Sequence, residues 1–492
     1  MIWKIAKKEF LLNLMTFKFA VGTILCVVLT AVFVPILAKA YQERLKTYNE
    51  NVAYNESELN KVTIYRNITP TIYRPPSALS VFSEGLEKQL GNSATINYDE
   101  VPEVTGAAAN HYLSIFSIFD ASLIFKIVLS VLALLVAYDA ISGERERGTL
   151  KLMLSGTSAR YQVLLGKLLA GLVTLIIPVT IAFILGLVIL LSFPMVDLGG
   201  SDWIRIGFMF LSSLVFIAAM YNLGLLFSCL ARRSAISLVL GLFMWIIFVA
   251  VIPNGSVYLA TQILPVESED KVNEQIALLR RDAQREFIRE LRNSGRSFQS
   301  GTSQNDMPGK GGFGHGYVRS CNKAYMENNL IRYGIGVPIE IKYADKYSAV
   351  EYGRLHTLFE QTRLADNLSR ISPVSLYENV MSAMAGTDVA GFRYFIDDVK
   401  AHRNNVVEYI RSRTNNFSSP SFFTPCTMEE TELHPLKDDA PPLDLRDLPR
   451  FVYKADIIGS LRRVIPDLAL LVFGNVLFFA LAFAAFARYD VR

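Results

Sequence analysis

Six apolar runs, each near the length needed to cross a bilayer, decide what this chain can be: residues 20–38, 119–140, 168–193, 206–230, 235–252 and 468–486. A spanning helix needs about 20 predominantly apolar residues, because backbone groups in hydrocarbon find no water and must bond within their own segment. A chain 51% hydrophobic and 19% charged is unusually apolar for a soluble domain and suits a multi-pass membrane protein. The expected fold class is an all-α polytopic membrane protein with six transmembrane helices, an N-terminal interfacial helix and a mainly helical extracytoplasmic domain.

Loop charge orients the spans, since Lys and Arg accumulate on the cytoplasmic side near span ends. Lys4, Lys7, Lys8 and Lys18 precede the first span. Arg145, Arg147, Lys151, Arg160 and Lys167 lie between the second and third, Arg232-Arg233 turns between the fourth and fifth, and Arg488 and Arg492 close the chain. The opposite loop, 194–203, carries Asp197 and Asp202 and no basic residue. Both termini are therefore expected in the cytoplasm. Ala38-Lys39-Ala40 imitates a signal-peptide cleavage site, but the charged leader before it is too long, so an uncleaved first span is expected.

This gives an interfacial helix over 1–18 and spans at 19–39, 119–140, 163–193, 204–230, 235–253 and 465–488. A cytoplasmic segment follows the second span at 141–162, and extracytoplasmic regions lie at 40–118 and 254–464. In the leader, Trp3, Ala6, Phe10 and Leu14 fall near one helical face with Lys4, Lys7 and Lys8 largely off it, which places Trp3 and Phe10 in the headgroup boundary. Lys167, at the start of the third span, is expected to anchor it at the headgroups. In the larger outer region, Val272, Ile276, Leu279, Ala283, Phe287 and Leu291 make a helical stripe, and helical patterns recur from about 343 to 371 and from 389 to 411.

Several chemistries find no support. A net charge of +4 without basic runs interleaved with aromatics argues against nucleic acid. The Gly-rich run at 308–316 has Gly311 after Lys310, where a phosphate loop needs Ser or Thr, so no ATP site is expected. His111, His315, His356, His402 and His434 lack metal-ligand spacing, and no metal is expected. Cys321 and Cys426 fall in the outer region and are candidates to pair there. Lys126 is the one charge in the core of a predicted span; it suits a substrate route, a snorkelling side chain or a pair with Asp120.

The segment 142–168 carries the strongest resemblance. Glu144, Arg145, Gly148-Thr149-Leu150, Leu152, Leu154, Ser158, Arg160, Gly166 and Lys167 follow a span and lead into another. The pattern resembles the loop after the second transmembrane helix of ABC-2-type transporter permeases. One departure is Thr157, where many members have Pro. The stretches 242–253, with Trp245, 368–388, 448–451 and 486–492 resemble the subgroup with a large insertion between the fifth and sixth spans.

The resemblance implies a permease subunit in a bacterial inner membrane, working as a homodimer or beside a sister permease. A separate ABC ATPase subunit would hold the ATP and Mg, and this chain would bind no cofactor of its own. Glu144, Arg145, Glu146, Arg147, Gly148, Thr149, Leu150, Met153, Leu154 and Arg160 would form the coupling contact. In it, Leu150, Met153 and Leu154 insert in an apolar groove while the charges pair at its rim. Export of a hydrophobic or peptide-like substrate is what the family suggests. The competing reading, from another class, is a membrane-anchored sensor or scaffold whose outer domain binds a protein partner.

Overall fold

The computed structural model describes residues 2–87, 90–100, 102, 104–105, 121–155, 159–295, 323–425, 440–454 and 457–488. The chain opens with α1 (Ile2–Leu14), which packs along the third span, and turns at Thr16, whose Oγ1 accepts from Phe19 N at 3.3 Å to start α2. α2 (Phe17–Leu59) is 43 residues long and runs well past the end of its apolar run. No breaker interrupts its polar half, and Lys46–Glu50 at 3.7 Å adds an i,i+4 pair. The second span is α3 (121–137), which includes a wide π-type turn at Ile124–Leu129.

Two short helices follow, α4 (Ser142–Glu146) and α5 (Thr149–Ser155). The remaining spans are α6 (Arg160–Leu191), α7 (Gly200–Leu230), α8 (Ser234–Ile263) and, after the insertion, α13 (Ile457–Ala487). All six spans are helices long and apolar enough to cross a membrane.

Close backbone approach and polar bonds hold these helices together, as expected where lipid removes the hydrophobic drive between them. A Cβ on Gly224 would lie 2.7 Å from Ala137 Cβ, so α3 and α7 meet where only glycine fits. Asn222 donates to Asn475 Oδ1 at 2.9 Å, Asn475 donates to Val215 O at 2.9 Å, and Trp245 Nε1 donates to Ser130 Oγ at 2.8 Å.

A second core forms where α10 (Lys323–Ser369) and α12 (Val389–Arg413) of the insertion meet a small antiparallel sheet from the segment between the first two spans, and α9 (Glu269–Asn293) packs along α10. In the sheet, β1 (Thr71–Tyr73) pairs β2 (Ser93–Thr95) with Ile72 opposite Ala94, and β2 pairs β3 (Val104–Thr105) with Ala94 opposite Val104. Ile72, Ile96, Val337, Phe395, Val399 and Phe422 are buried between them. Strands this short are not legible in a sequence, because runs of two or three residues carry no readable alternation.

Between α10 and α12, α11 (Pro373–Ala385) leaves that domain and enters the spanning bundle. Ser372 Oγ accepts from Val374 N and Ser375 N at its start and donates to Phe248 O at 2.7 Å. Tyr377 stacks on Phe216 with ring centroids 4.6 Å apart and meets Ser213 Oγ at 3.2 Å. Lys126 pairs with Glu378 of this helix, 252 residues away, rather than reaching toward solvent. Asp120, the partner considered from sequence, lies outside the described residues.

In the outer core, burial holds the Glu340 carboxyl up at about 7, with Asp99 adding to the effect and Arg66 and Arg332 opposing it. The folded chain thus keeps a proton that the unfolded chain releases near pH 4.5. Stability is full below that pH and falls as pH rises to about 7, by up to about 3 kcal/mol. Glu340→Gln is expected to flatten the dependence of melting temperature on pH between about 5 and 7.5. An unchanged slope in that variant would refute this account.

Candidate functional site

The charged segment expected to couple the permease is folded against the bundle end that also receives α1 and the last turn of α13. Lys18 Nζ reaches Asp139 Oδ2 at 2.9 Å and Tyr138 Oη at 2.7 Å, joining the first two spans there. Arg160 donates to Ala487 O. Gly148, between α4 and α5, sits at φ 75°, a left-handed turn in which a side chain would be strained. It lets the two short helices change direction within two residues.

Bonds to the turn between α7 and α8 fix α4. Ile141 N and Ser142 N donate to Ser228 Oγ at 2.9 and 3.0 Å. Arg145 donates to Ala231 O at 2.8 Å and Cys229 O at 3.2 Å, and Glu146 Oε2 accepts from Ser234 N and Oγ at 3.2 and 2.9 Å. These bonds hold α4 to its neighbours, so the segment is a platform rather than a free loop.

Two expectations reverse here. Leu150 was to insert in a partner's groove, yet it is fully buried in the bundle core, with Met153 packed half-buried against it. These two apolar side chains of α5 are spent on its own spans. Lys167 was to sit at the headgroups, yet it is 3% exposed, with Nζ 2.8 Å from Glu144 Oε1 and 3.1 Å from Glu9 Oε1. A cation can be buried at such a place because two carboxylates from different helices replace its water. Beside it, a Cβ on Gly166 would come within 2.8 Å of Ile5 Cγ2, which is how closely α1 lies on α6.

What remains outward is a rim of charge. Glu146, Arg147, Gly148, Thr149 and Lys151 are exposed, and so are Arg232 and Arg233 in the neighbouring turn. Glu144 and Arg145 are partly buried and turned inward. On α1, Trp3 is 76% exposed, Lys4, Lys7 and Lys8 are exposed, and Phe10 is half-buried. The side chain of Leu154, and all of Thr157, Ser158, Cys321 and Cys426, lie outside the described residues, as does 308–316. Among the described residues no three His, Cys, Asp or Glu side chains gather as a metal site.

Glu9, Ser228, Ser234 and Glu378 were missed from sequence. Only Glu9 left a signal: it is the single acid among the lysines of the leader.

Six helices of spanning length among the described residues, a charged platform at one end and a large insertion define an all-α, multi-pass membrane protein. A family model described as ABC-2 family transporter protein matches residues 3–491, and the chain belongs to that family: it is an ABC-2-type transporter permease. It is also similar to a "Probable ABC transporter permease protein NosY" from Stutzerimonas stutzeri, 38% identical over 179 residues, which are 35% of this chain and 62% of that relative.

Proposed function

We propose that a separate ABC ATPase docks on the α4–α5 platform and drives this permease by displacing it. The observation that supports this reading most directly is the exposed rim of Glu146, Arg147, Thr149 and Lys151, with Arg232 and Arg233 beside it, on a segment bonded to several spans at once. Such a surface offers charge for recognition and a stiff base to push on. The ATPase holds the ATP and Mg, and the permease does no hydrolysis. Two permeases, identical or sister chains, work with two ATPase subunits.

The platform faces the cytoplasm of a bacterial inner membrane, in line with the excess of Lys and Arg at that end, and the insertion faces outward. Export of a hydrophobic or peptide-like substrate fits an apolar cavity of about 340 Å³ among α6, α7 and α13, lined by Val179, Ala218, Val472 and Asn475.

Docking is tested by the double substitution Arg147→Glu with Lys151→Glu. Both side chains are exposed, so melting temperature should hold. The amount of ATPase that copurifies with the detergent-solubilised permease should fall about tenfold. Undiminished copurification removes the rim from the contact, and absence of any ATPase with the unaltered chain favours the sensor or scaffold reading.

A further inference from the structure

We infer that Lys167 makes the interfacial helix α1 a moving part of the coupling platform, tying Glu9 of α1 and Glu144 of α4 to the start of α6 so that the three shift as one body. The inference rests on the docking reading above and deepens it. It makes Lys167 and Glu9 positioning residues, which touch neither ATP nor substrate and act by deciding what the platform drags with it.

The geometry is specific. The Lys167 side chain is 2% exposed, those of Glu9 and Glu144 only 17% and 14%, and both carboxylates lie within 3.1 Å of one ammonium group. Attraction between charges in such a dry place is several times that at a surface, and separating them leaves charge without water. Ala6 is buried in the same seam, and Ile5 sits against Gly166, so α1 meets α6 closely enough that sliding would break packing as well as charge pairs.

The Lys18 pair and the bonds of Glu146 at this end are looser. Lys18 and Asp139 are each 35% exposed, and the bonds from Glu146 to Ser234 are solvent-exposed, where water replaces a lost partner cheaply. Ser228 and Arg145 fasten α4 to α7, and Lys167 is what ties it to α6 and α1. A push on α4 and α5 is delivered to α6 and α1 together, carrying the exposed Trp3 and the lysines of α1 along the membrane interface.

Spin-label distances test this in the full permease with its copurifying ATPase in lipid nanodiscs. Cys321 and Cys426 are replaced by Ser. Labels are placed at Lys7→Cys on α1 and Tyr161→Cys at the start of α6, both exposed and outside the docking rim, with a reference at the exposed Glu267→Cys. Adding ATP and Mg should change the 161–267 distance and leave the 7–161 distance fixed. In Lys167→Met the 7–161 distribution should roughly double in width and shift with ATP, because the buried pairs are gone.

Glu9→Gln, which keeps side-chain shape and leaves Glu144 on Lys167, should loosen α1 alone and serves if Lys167→Met folds poorly. A 7–161 distance that changes with ATP in the unaltered chain as much as 161–267 does, or that stays fixed in the variants, overturns the proposal. No ATP-dependent change at 161–267 would instead overturn the docking reading, and this inference with it.

Discussion

Replacing Arg370 with Met is expected to destabilise the protein by about 3 kcal/mol, because it strands a buried carboxylate. Arg370 Nε donates to Asp467 Oδ1 at 2.6 Å, and Asp467, nearly three turns into α13, is only 5% exposed. The neighbouring Asp366 carboxyl is pushed up to about 6 by burial, with the Asp467 charge adding to the effect and Arg370 opposing it. The junction between insertion and bundle thus carries surplus negative charge that Arg370 offsets. Arg370 is itself about one-third exposed, so water recovers part of the loss, and the estimate stays at the lower end of the range for broken buried pairs.

Asp467→Asn should cost less than Arg370→Met. The double variant should recover most of the stability, giving a coupling of about 1–3 kcal/mol in a double-mutant cycle. Thermal unfolding of the four proteins measures it; additive losses would show that the pair holds nothing.

The largest packing effect is expected at Gly171. A Cβ there would lie 2.0 Å from Tyr221 Cζ, far inside van der Waals contact, and Tyr221 is 1% exposed with its hydroxyl donating to Lys167 O at 2.9 Å. Gly171→Val must expel the ring or part α6 from α7, at about 3 kcal/mol or more. Tyr221→Phe removes only the hydroxyl and should cost about 1 kcal/mol. Gly207→Ala and Gly474→Ala, where nothing lies within 4 Å, are controls expected to leave stability unchanged or slightly raised. Equal melting temperatures for Gly171→Val and Gly207→Ala would contradict the packing described.

The spans were legible because their signal is local: an apolar run declares a helix without reference to the rest of the chain. The helix that outlasts its apolar run in α2 was not, since hydropathy falls away at its polar half while helix propensity does not. α11 falls between the helical patterns at 343–371 and 389–411, inside the region expected to be extracytoplasmic; at 13 residues it is too short to register as a span, and only its contacts place it among them.

At the platform, position was legible and facing was not. An apolar stripe such as Leu150 and Met153 on a short helix suits a partner's groove and the chain's own bundle equally well. The ion pairs were hidden for another reason. Glu9 and Glu144 flank Lys167, and Glu378 meets Lys126, only after folding brings distant segments together. A lysine at a span end looks the same in sequence whether lipid or two carboxylates receive it.

The length of α2 has a mechanical consequence. At 1.5 Å per residue its 43 residues extend about 65 Å, whereas the hydrocarbon core is about 30 Å thick. The surplus stands beyond the bilayer as a lever arm, fastened near its far end where Thr71 N donates to Asn55 Oδ1 at 2.9 Å. A tilt of about 5° at the Phe17 end would carry the Leu59 end sideways by about 5 Å. Movements too small to notice at the platform would arrive magnified at the sheet and the core around it.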